Sequence, residues 1–595
     1  MAGTSLAGWL LLAIYLPTIH GLRLAQMGTM SPNGGDDGVD FRPAYHITPP
    51  SNWMNDPNGL MERDGIFHVF FQFNPSAPIW GAPHWGHVAS RDLAHWQRLP
   101  VALSPEETYD IDGVFSGSAT VLPDGDPVIM YTGTSRRQEL GFFWQVQALA
   151  RPENGSDPLL QRWVKDPRNP VIEDAPPRGT NFQFRDPQTA WRQEVGEELG
   201  SLWLTTIGSQ VSCVGAAPMY ASRDFVKWEF FGYLHSQPGV VPSENETECT
   251  FGETQFGAEG RNWEVVCYFP KRVGEEVIHI FKYSDQIRGR TPFGRDWYVL
   301  SDVPLAFTNK TVPGQGNALT PSLRGAPFAP AIIDHGDIYA SKFFNTSSGR
   351  LLWMGWSFET STGCTGTCSD GTPLTDARGW QGLQTIPREV QVDLETGQLL
   401  MTPIGEVEAL RSAQLFEQGG MKLVPGARRA LPLKFPKGGS GGRQMDVSAT
   451  FKLSDEASAE VSSTGFKVGV AVTHGRTGAL TSVFLNGSLS AGGGGVEELE
   501  MWVDRSATGG ATSANLQGGR VTLGGVAKEV TLRLLVDRSV VEAVGQGGRV
   551  RATSRVYPAG RGDWGLELFN EGAAGSVVAG VEAWEMEGAF VDDLW

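Results

Sequence analysis

The stretch His46-Ile47-Thr48-Pro49-Pro50-Ser51-Asn52-Trp53-Met54-Asn55-Asp56-Pro57-Asn58-Gly59 sets one carboxylate between an aromatic ring and two amide side chains, just ahead of an apolar run from Gly65 to Phe73. Pro57 biases Asp56 toward extended backbone, Asn58-Gly59 reads as a turn, and the run that follows reads as a buried strand. A carboxylate held this rigidly suits attack on a sugar. Trp53 offers a flat apolar face for the ring, and Asn55 and Gln72 offer amides to its hydroxyls. Other Asp-Pro pairs, at Asp126, Asp157 and Asp166, show that the dipeptide alone identifies nothing.

Cleaving a glycosidic bond with retention needs a second carboxyl group about 5–5.5 Å from the first, one ionised and one protonated. Two further acids stand out. In Asn181-Phe182-Gln183-Phe184-Arg185-Asp186-Pro187-Gln188, Asp186 shares the Asp-Pro rigidity, and the adjoining Arg185 is expected to keep it ionised. An ionised Asp there would grip sugar hydroxyls through charge-assisted hydrogen bonds. In the acidic stretch from Glu244 to Glu253, neighbouring carboxylates would raise the pKa of a partly buried Glu, as a general acid requires. On that argument Glu244, Glu246, Glu248 and Glu253 qualify equally.

The elements that must position these acids read as strands. From Phe41 to about Glu406 short apolar runs alternate with turn residues, among them Leu202–Ile207, Trp263–Tyr268, Val277–Tyr283 and Leu351–Trp356, and no long stretch has helical periodicity. The pattern A-S-R-D-x-x-x-W occurs twice, at Ala89 to Trp96 and at Ala221 to Trp228. A recurring strand-turn unit suggests radial repetition, in which side chains from different units converge on one axis. The expected order is a leader over 1–21, a flexible segment over 22–40, a catalytic unit over 41–406, a linker over 407–445 containing Pro436-Lys437-Gly438-Gly439-Ser440-Gly441-Gly442, and a β-sandwich over 446–590.

Composition narrows the function classes. The 595 residues carry a net charge of −18, which argues against a nucleic-acid or anionic-membrane partner and suits a neutral small molecule. The 75 Gly and 19 Trp fit tight turns and aromatic platforms better than long helices. Residues 1–21 lack Asp, Glu, Lys and Arg, and Gly8 to Ile19 is as long and apolar as a signal-peptide core, although the n-region has no positive side chain. Sequons at Asn154, Asn245, Asn309, Asn345 and Asn486 agree with a secretory, glycosylated product bound for wall, vacuole or medium. Of the five cysteines, Cys364 and Cys368 lie close enough for a local disulfide, and the odd count leaves at least one thiol unpaired within the chain.

Trp53-Met54-Asn55-Asp56-Pro57-Asn58-Gly59 resembles the nucleophile motif of glycoside hydrolase family 32, the invertases, fructan hydrolases and fructosyltransferases. Arg185-Asp186-Pro187 resembles the family's transition-state-stabilising motif, and Glu248-Cys249 its acid/base motif. The likeness continues through Gly113 to Ala119, Asp334 to Lys342 and Arg378 to Arg388, and into the second unit through Val536-Asp537-Arg538-Ser539-Val540-Val541-Glu542 and Thr553 to Pro558. It implies an all-β chain, a five-bladed β-propeller followed by a β-sandwich, that cleaves terminal β-fructofuranosyl groups from sucrose or fructans. Asp56 would be the nucleophile, Glu248 the acid/base and Asp186 the transition-state stabiliser, with no metal or organic cofactor. The substrate-binding candidates are Trp53, Asn55, Gln72, Trp80, Phe115, Ser116, Arg185 and Asp337.

Departures from the pattern bear on substrate. Phe115 stands where plant members usually carry Trp, and Thr291 to Tyr298 lacks the Asp and Lys that sucrose-preferring members place ahead of a similar strand. Preference between sucrose and fructans therefore does not carry over. Two other readings compete with a hydrolase: a fructosyltransferase, in which a sugar replaces water as acceptor, and a non-catalytic carbohydrate-binding protein. In the family that the motif resembles, an intact Trp at the position of Trp53 goes with water as acceptor, and a full set of acids is superfluous in a binder.

Overall fold

The computed structural model describes residues 41–137, 142–211, 214–236, 262–286, 294–307, 317–359, 378–453, 465–476, 478–489, 495–508, 515–558, 562–572 and 575–592. Glu248, Cys213, Cys249, Cys364, Cys368, Asn245, Asn309 and the leader lie outside them. The described chain is all-β. Five sheets follow one another up to Pro403, and two six-stranded sheets complete the molecule.

Each of the five sheets starts with one strand that meets its counterparts in other sheets: β1 (Asn52–Arg63), β2 (Gly113–Val121), β3 (Gly179–Arg185), β4 (Asn262–Val273) and β5 (Ile338–Asn345). β1 lies against β2, β2 against β3, β3 against β4, β4 against β5, and β5 returns to β1. The first sheet is completed by late sequence. Trp380–Gln381 pairs in parallel with β1, and Asn52 N–H donates to Gly379 O at 2.8 Å.

These strands are interrupted where they face one another. Register shifts occur between Met54 and Pro57 in β1, Phe115 and Gly117 in β2, Glu264 and Cys267 in β4, and Tyr339 and Lys342 in β5. Val265 and Ala340 take φ of +45° and +55°, and Asp186, directly after β3, takes +66°. A bulge leaves one residue out of the ladder and re-aims its neighbours, so each strand can turn polar side chains into the space they share.

The repeated A-S-R-D-x-x-x-W sequence is one turn used twice. Each copy begins at the end of a strand, His84–Ser90 or Val214–Ser222. Asp92 Oδ1 accepts from the backbone of Ala94 and His95, as Asp224 Oδ1 does from Val226 and Lys227, at 2.7–2.9 Å. Leu93 and Phe225 both take φ of +62°, and Trp96 and Trp228 are buried below.

The expected linker over 407–445 is instead structured. Arg411–Leu423 and Ala427–Ala430 are strands, one in each of the last two sheets, paired with Val577–Met586 and Gly565–Asn570. The Gly-rich piece does behave as a turn, with Gly438, Gly441 and Gly442 at positive φ. The two sheets bury one shared apolar core, including Met445, Val447, Val470, Leu485, Leu534 and Leu568, which makes them a sandwich.

The sandwich docks on the first part through buried charge. Arg388 pairs with Asp334 at 2.7 Å and with Glu542 at 2.6 Å, and His46 sits between Asp537 at 2.9 Å and Glu542 at 3.1 Å, all wholly buried. Asp537 also accepts from the backbone N–H groups of Ala44, Tyr45 and His46. Unsatisfied, such groups would be costly to bury; here each carboxylate has several donors.

Candidate functional site

Asp56 is clamped on both carboxylate oxygens. Ser116 Oγ, from the bulge in β2, donates to Oδ2 at 2.6 Å, and Asn55 Nδ2 donates to Oδ1 at 3.1 Å. Asn55 is itself fixed twice: Trp53 Nε1 donates to its Oδ1 at 2.6 Å, and Gln384 Nε2 donates to its carbonyl at 2.6 Å. Asn58 braces the turn, accepting from Gly117 N–H at 3.1 Å through Oδ1 and donating to Asp56 O at 3.3 Å. Burial pushes the Asp56 carboxyl above its ordinary range. The Ser116 and Asn55 hydrogen bonds oppose that, Glu264 adds to it, and Lys342 offsets it.

Asp186 lies deeper. Its N–H donates to Thr132 Oγ1 at 3.0 Å, and its Oδ2 accepts from Val265 N–H at 3.1 Å, an amide made available by the bulge in β4. Burial drives its carboxyl up to about 7; Asp56 and Glu264 push the same way, while Arg185 and Lys342 oppose. Arg185 acts on Asp186 in the expected direction, toward the ionised form, and burial outweighs it. The guanidinium turns to Glu264, with Nε 2.9 Å from Oε1 and Nη2 closer still, and to Gln183 Oε1 at 2.8 Å.

The third carboxylate of this cluster is Glu264, which the sequence reading passed over. It is partly buried near the start of β4; Oε1 accepts from Arg185 and Oε2 from the Tyr339 hydroxyl. Its charge acts on both Asp56 and Asp186. One signal was available: Trp263–Tyr268 reads as a strand, and Glu264 is the single charged residue in that apolar run, next to a Trp. Glu248, in the acidic stretch from Glu244 to Glu253, lies outside the described residues.

The remaining candidates divide. Trp80 is 42% exposed and meets Phe115 and Phe143 edge-on at 5.9 and 6.0 Å, forming an aromatic rim next to Ser116. Gln72 is buried, its Nε2 donating to Val114 O at 3.0 Å. Trp53 offers no open face: it is 3% exposed and packs edge-on against Trp356 in a cluster with Val265, Tyr339 and Phe358, so the sugar-platform expectation fails. Asp337 belongs to the sandwich interface. It pairs with Arg505 at 2.7 Å and accepts from Gln517 Nε2 and from Arg555 N–H at 2.9 Å, which leaves it no role at the Asp56 cluster. Among the described residues no group of His, Cys, Asp and Glu has the arrangement of a metal site.

Three carboxylates, one of them with both oxygens held, under an aromatic rim form an arrangement able to attack a sugar carbon and move a proton. Comparison with known proteins points the same way. The model described as "Glycosyl hydrolases family 32 N-terminal domain" matches residues 46–403, and "Glycosyl hydrolases family 32 C terminal" matches 406–585. An acid beta-fructofuranosidase of Vicia faba is 34% identical, covering 92% of this chain and 82% of that protein. An insoluble isoenzyme of beta-fructofuranosidase from Arabidopsis thaliana is 33% identical, covering 94% and 93%. The crystal structure of fructan 1-exohydrolase IIa from Cichorium intybus superposes with a TM-score of 0.75 at 30% identity, over 93% of this chain and 99% of that one.

Proposed function

Because the chain belongs to glycoside hydrolase family 32, we propose that Asp56, Glu264 and Asp186 are the reacting set of a β-fructofuranosidase that hydrolyses terminal fructofuranosyl groups of sucrose and fructans. The observation that carries the assignment is the convergence of β1, the end of β3 and β4 on one cluster, with both oxygens of Asp56 held by neutral donors. The closed circuit of five innermost strands supports a five-bladed propeller.

In the first step Asp56 attacks the anomeric carbon of the fructosyl unit. The bond to the leaving oxygen breaks, and that oxygen takes its electron pair and a proton from Glu264. In the second, Glu264 removes a proton from water, the hydroxide equivalent attacks the same carbon, and the bond to Asp56 breaks. Two displacements at one centre give overall retention. Asp186, held by Thr132 and the Val265 amide, faces the ring hydroxyls and strengthens its hydrogen bonds as charge develops. Arg185 and Tyr339 fix the Glu264 carboxylate, and Trp80 with Phe115 borders the leaving group. Water serves as acceptor in this scheme, and side chains supply both proton and nucleophile, so no cofactor is required.

The leader-like residues 1–21 and relatives named as vacuolar or insoluble isoenzymes support a route through the secretory pathway. The sequon asparagines Asn154, Asn345 and Asn486 are all exposed, as N-glycosylation requires. The test is timed release of glucose and fructose from sucrose and from inulin by wild type and Asp56→Ala. Equal glucose and fructose from sucrose, abolished in the variant, is the expected result. Glucose in excess with a trisaccharide accumulating would show that sugar outcompetes water.

A further inference from the structure

Two lysines are buried around the Asp56 cluster, and their surroundings differ. Lys282, in the strand Glu276–Gln286, is fully provided for: its Nζ is 3.1 Å from Asp296 Oδ2, and it donates to Ser284 Oγ at 2.7 Å and to Val265 O at 3.2 Å. Lys342, in β5, is 2% exposed, and its Nζ donates to a single neutral hydroxyl, Ser118 Oγ, at 3.1 Å. Among the described residues no carboxylate lies within ion-pairing distance of it.

Its position is set by the bulge in β5. Ala340, at φ +55°, breaks the register between Tyr339 and Lys342, which re-aims the lysine inward. Ser118, its anchor, stands two residues beyond Ser116, the donor to Asp56. The groups that act on its charge come from three other sheets: Cys267 in β4, Asp186 after β3 and Asp56 in β1 favour the cation, and Lys282, in the strand beside β4, opposes it. Asp296, which lies beside Lys282, is already taken by that lysine and by the backbone and hydroxyl of Ser341. A buried ammonium is expensive unless negative charge offsets it. Burial pushes the Lys342 ammonium below its ordinary range, and Cys267, Asp186 and Asp56 act against that.

We propose that Lys342 is the resident counter-cation of the site, a positioning residue that keeps Asp56 ionised beside Asp186 and Glu264. Three carboxylates that act on one another would otherwise retain protons, and a protonated Asp56 is no nucleophile. Ser118 holds the ammonium back from Asp56, so the cation lends its field without occupying the oxygen that must attack. The proposal rests on the assignment of Asp56 made above.

The test is the pH dependence of kcat/KM on sucrose for wild type, Lys342→Met, Lys342→Arg and Ser118→Ala, with folding checked by thermal melts and Asp56→Ala as control. Losing the cation raises the pH at which Asp56 ionises. The acid limb of Lys342→Met is expected to move up by about one pH unit, lowering kcat/KM about tenfold at low pH and less on the plateau. Lys342→Arg, which keeps the charge, holds its limb closer to wild type. Ser118→Ala, which loosens the anchor without emptying the site, moves the limb the same way by less, and settles the matter if Lys342→Met fails to fold. Loss of activity at all pH values with an unmoved acid limb would overturn the proposal. Activity surviving in Asp56→Ala would overturn the assignment beneath it instead.

Discussion

Trp53 Nε1 donates to Asn55 Oδ1 at 2.6 Å, and Asn55 in turn donates to Asp56 at 3.1 Å. The indole thus acts on the nucleophile through an amide rather than by stacking on sugar. Removing only the N–H, in Trp53→Phe, leaves the ring's packing and frees Asn55 to rotate. Leaving one buried acceptor unmet costs on the order of 1–3 kcal/mol, so kcat is expected to fall roughly ten- to a hundredfold with KM little changed. Steady-state kinetics on sucrose checks this; a rise in KM at constant kcat would point to a platform after all.

Ser116 donates to Asp56 at 2.6 Å and is one of the two contacts that counter the effect of burial on its carboxyl. Ser116→Ala therefore lifts the pH at which Asp56 ionises, and activity in the acid range falls before that near neutrality. The full kcat/KM profile reads the direction. An acid limb displaced downward would contradict it.

Asp186 carries a carboxyl raised to about 7 against an ordinary value of 3.8. Between those two pH values the native state holds a proton that the unfolded chain has released. Stability from this group therefore declines as pH rises through the window. Asp186→Asn removes that decline, and an amide oxygen can still accept from Val265. The Tm advantage of the variant over wild type should grow from pH 4 to pH 8 while activity is lost, a trade of stability for function measurable by calorimetry.

His46 shows the opposite sign. Burial alone would lower its pKa from 6.5, but the hydrogen bonds to Asp537 and Glu542 outweigh that and carry it to about 9. The stability it confers on the docked sandwich is complete below pH 6.5 and is lost as pH rises from 6.5 through 9. His46→Gln should flatten the fall of Tm across that interval. A wild-type Tm that holds level from pH 6.5 to 9 would contradict the reading.

Much of this was legible in the sequence, for physical reasons. Asp56 and Asp186 sit in Asp-Pro contexts that constrain backbone, and alternating apolar runs revealed the strands around them. The doubled A-S-R-D-x-x-x-W pattern was visible because the turn builds its own hydrogen bonds from local side chains. What escaped depends on contacts between distant strands. Glu264 looked like one polar residue in an apolar strand until Arg185 and Tyr339 were brought to it. Asp337 looked like a site residue because nothing local shows that Arg505 and Gln517 of the sandwich reach it. The region over 407–445 looked like a linker because its strands alternate weakly at a sheet edge, with much of Arg411–Leu423 exposed.

The most direct test of the central claim compares Glu264→Gln with Glu248→Gln in timed release of glucose and fructose from sucrose, with both proteins shown to be folded. Removing a general acid/base costs typically about 10²- to 10⁴-fold, so Glu264→Gln should lose activity on that scale, with Glu248→Gln staying close to wild type. An inactive Glu248→Gln beside an active Glu264→Gln would contradict the assignment.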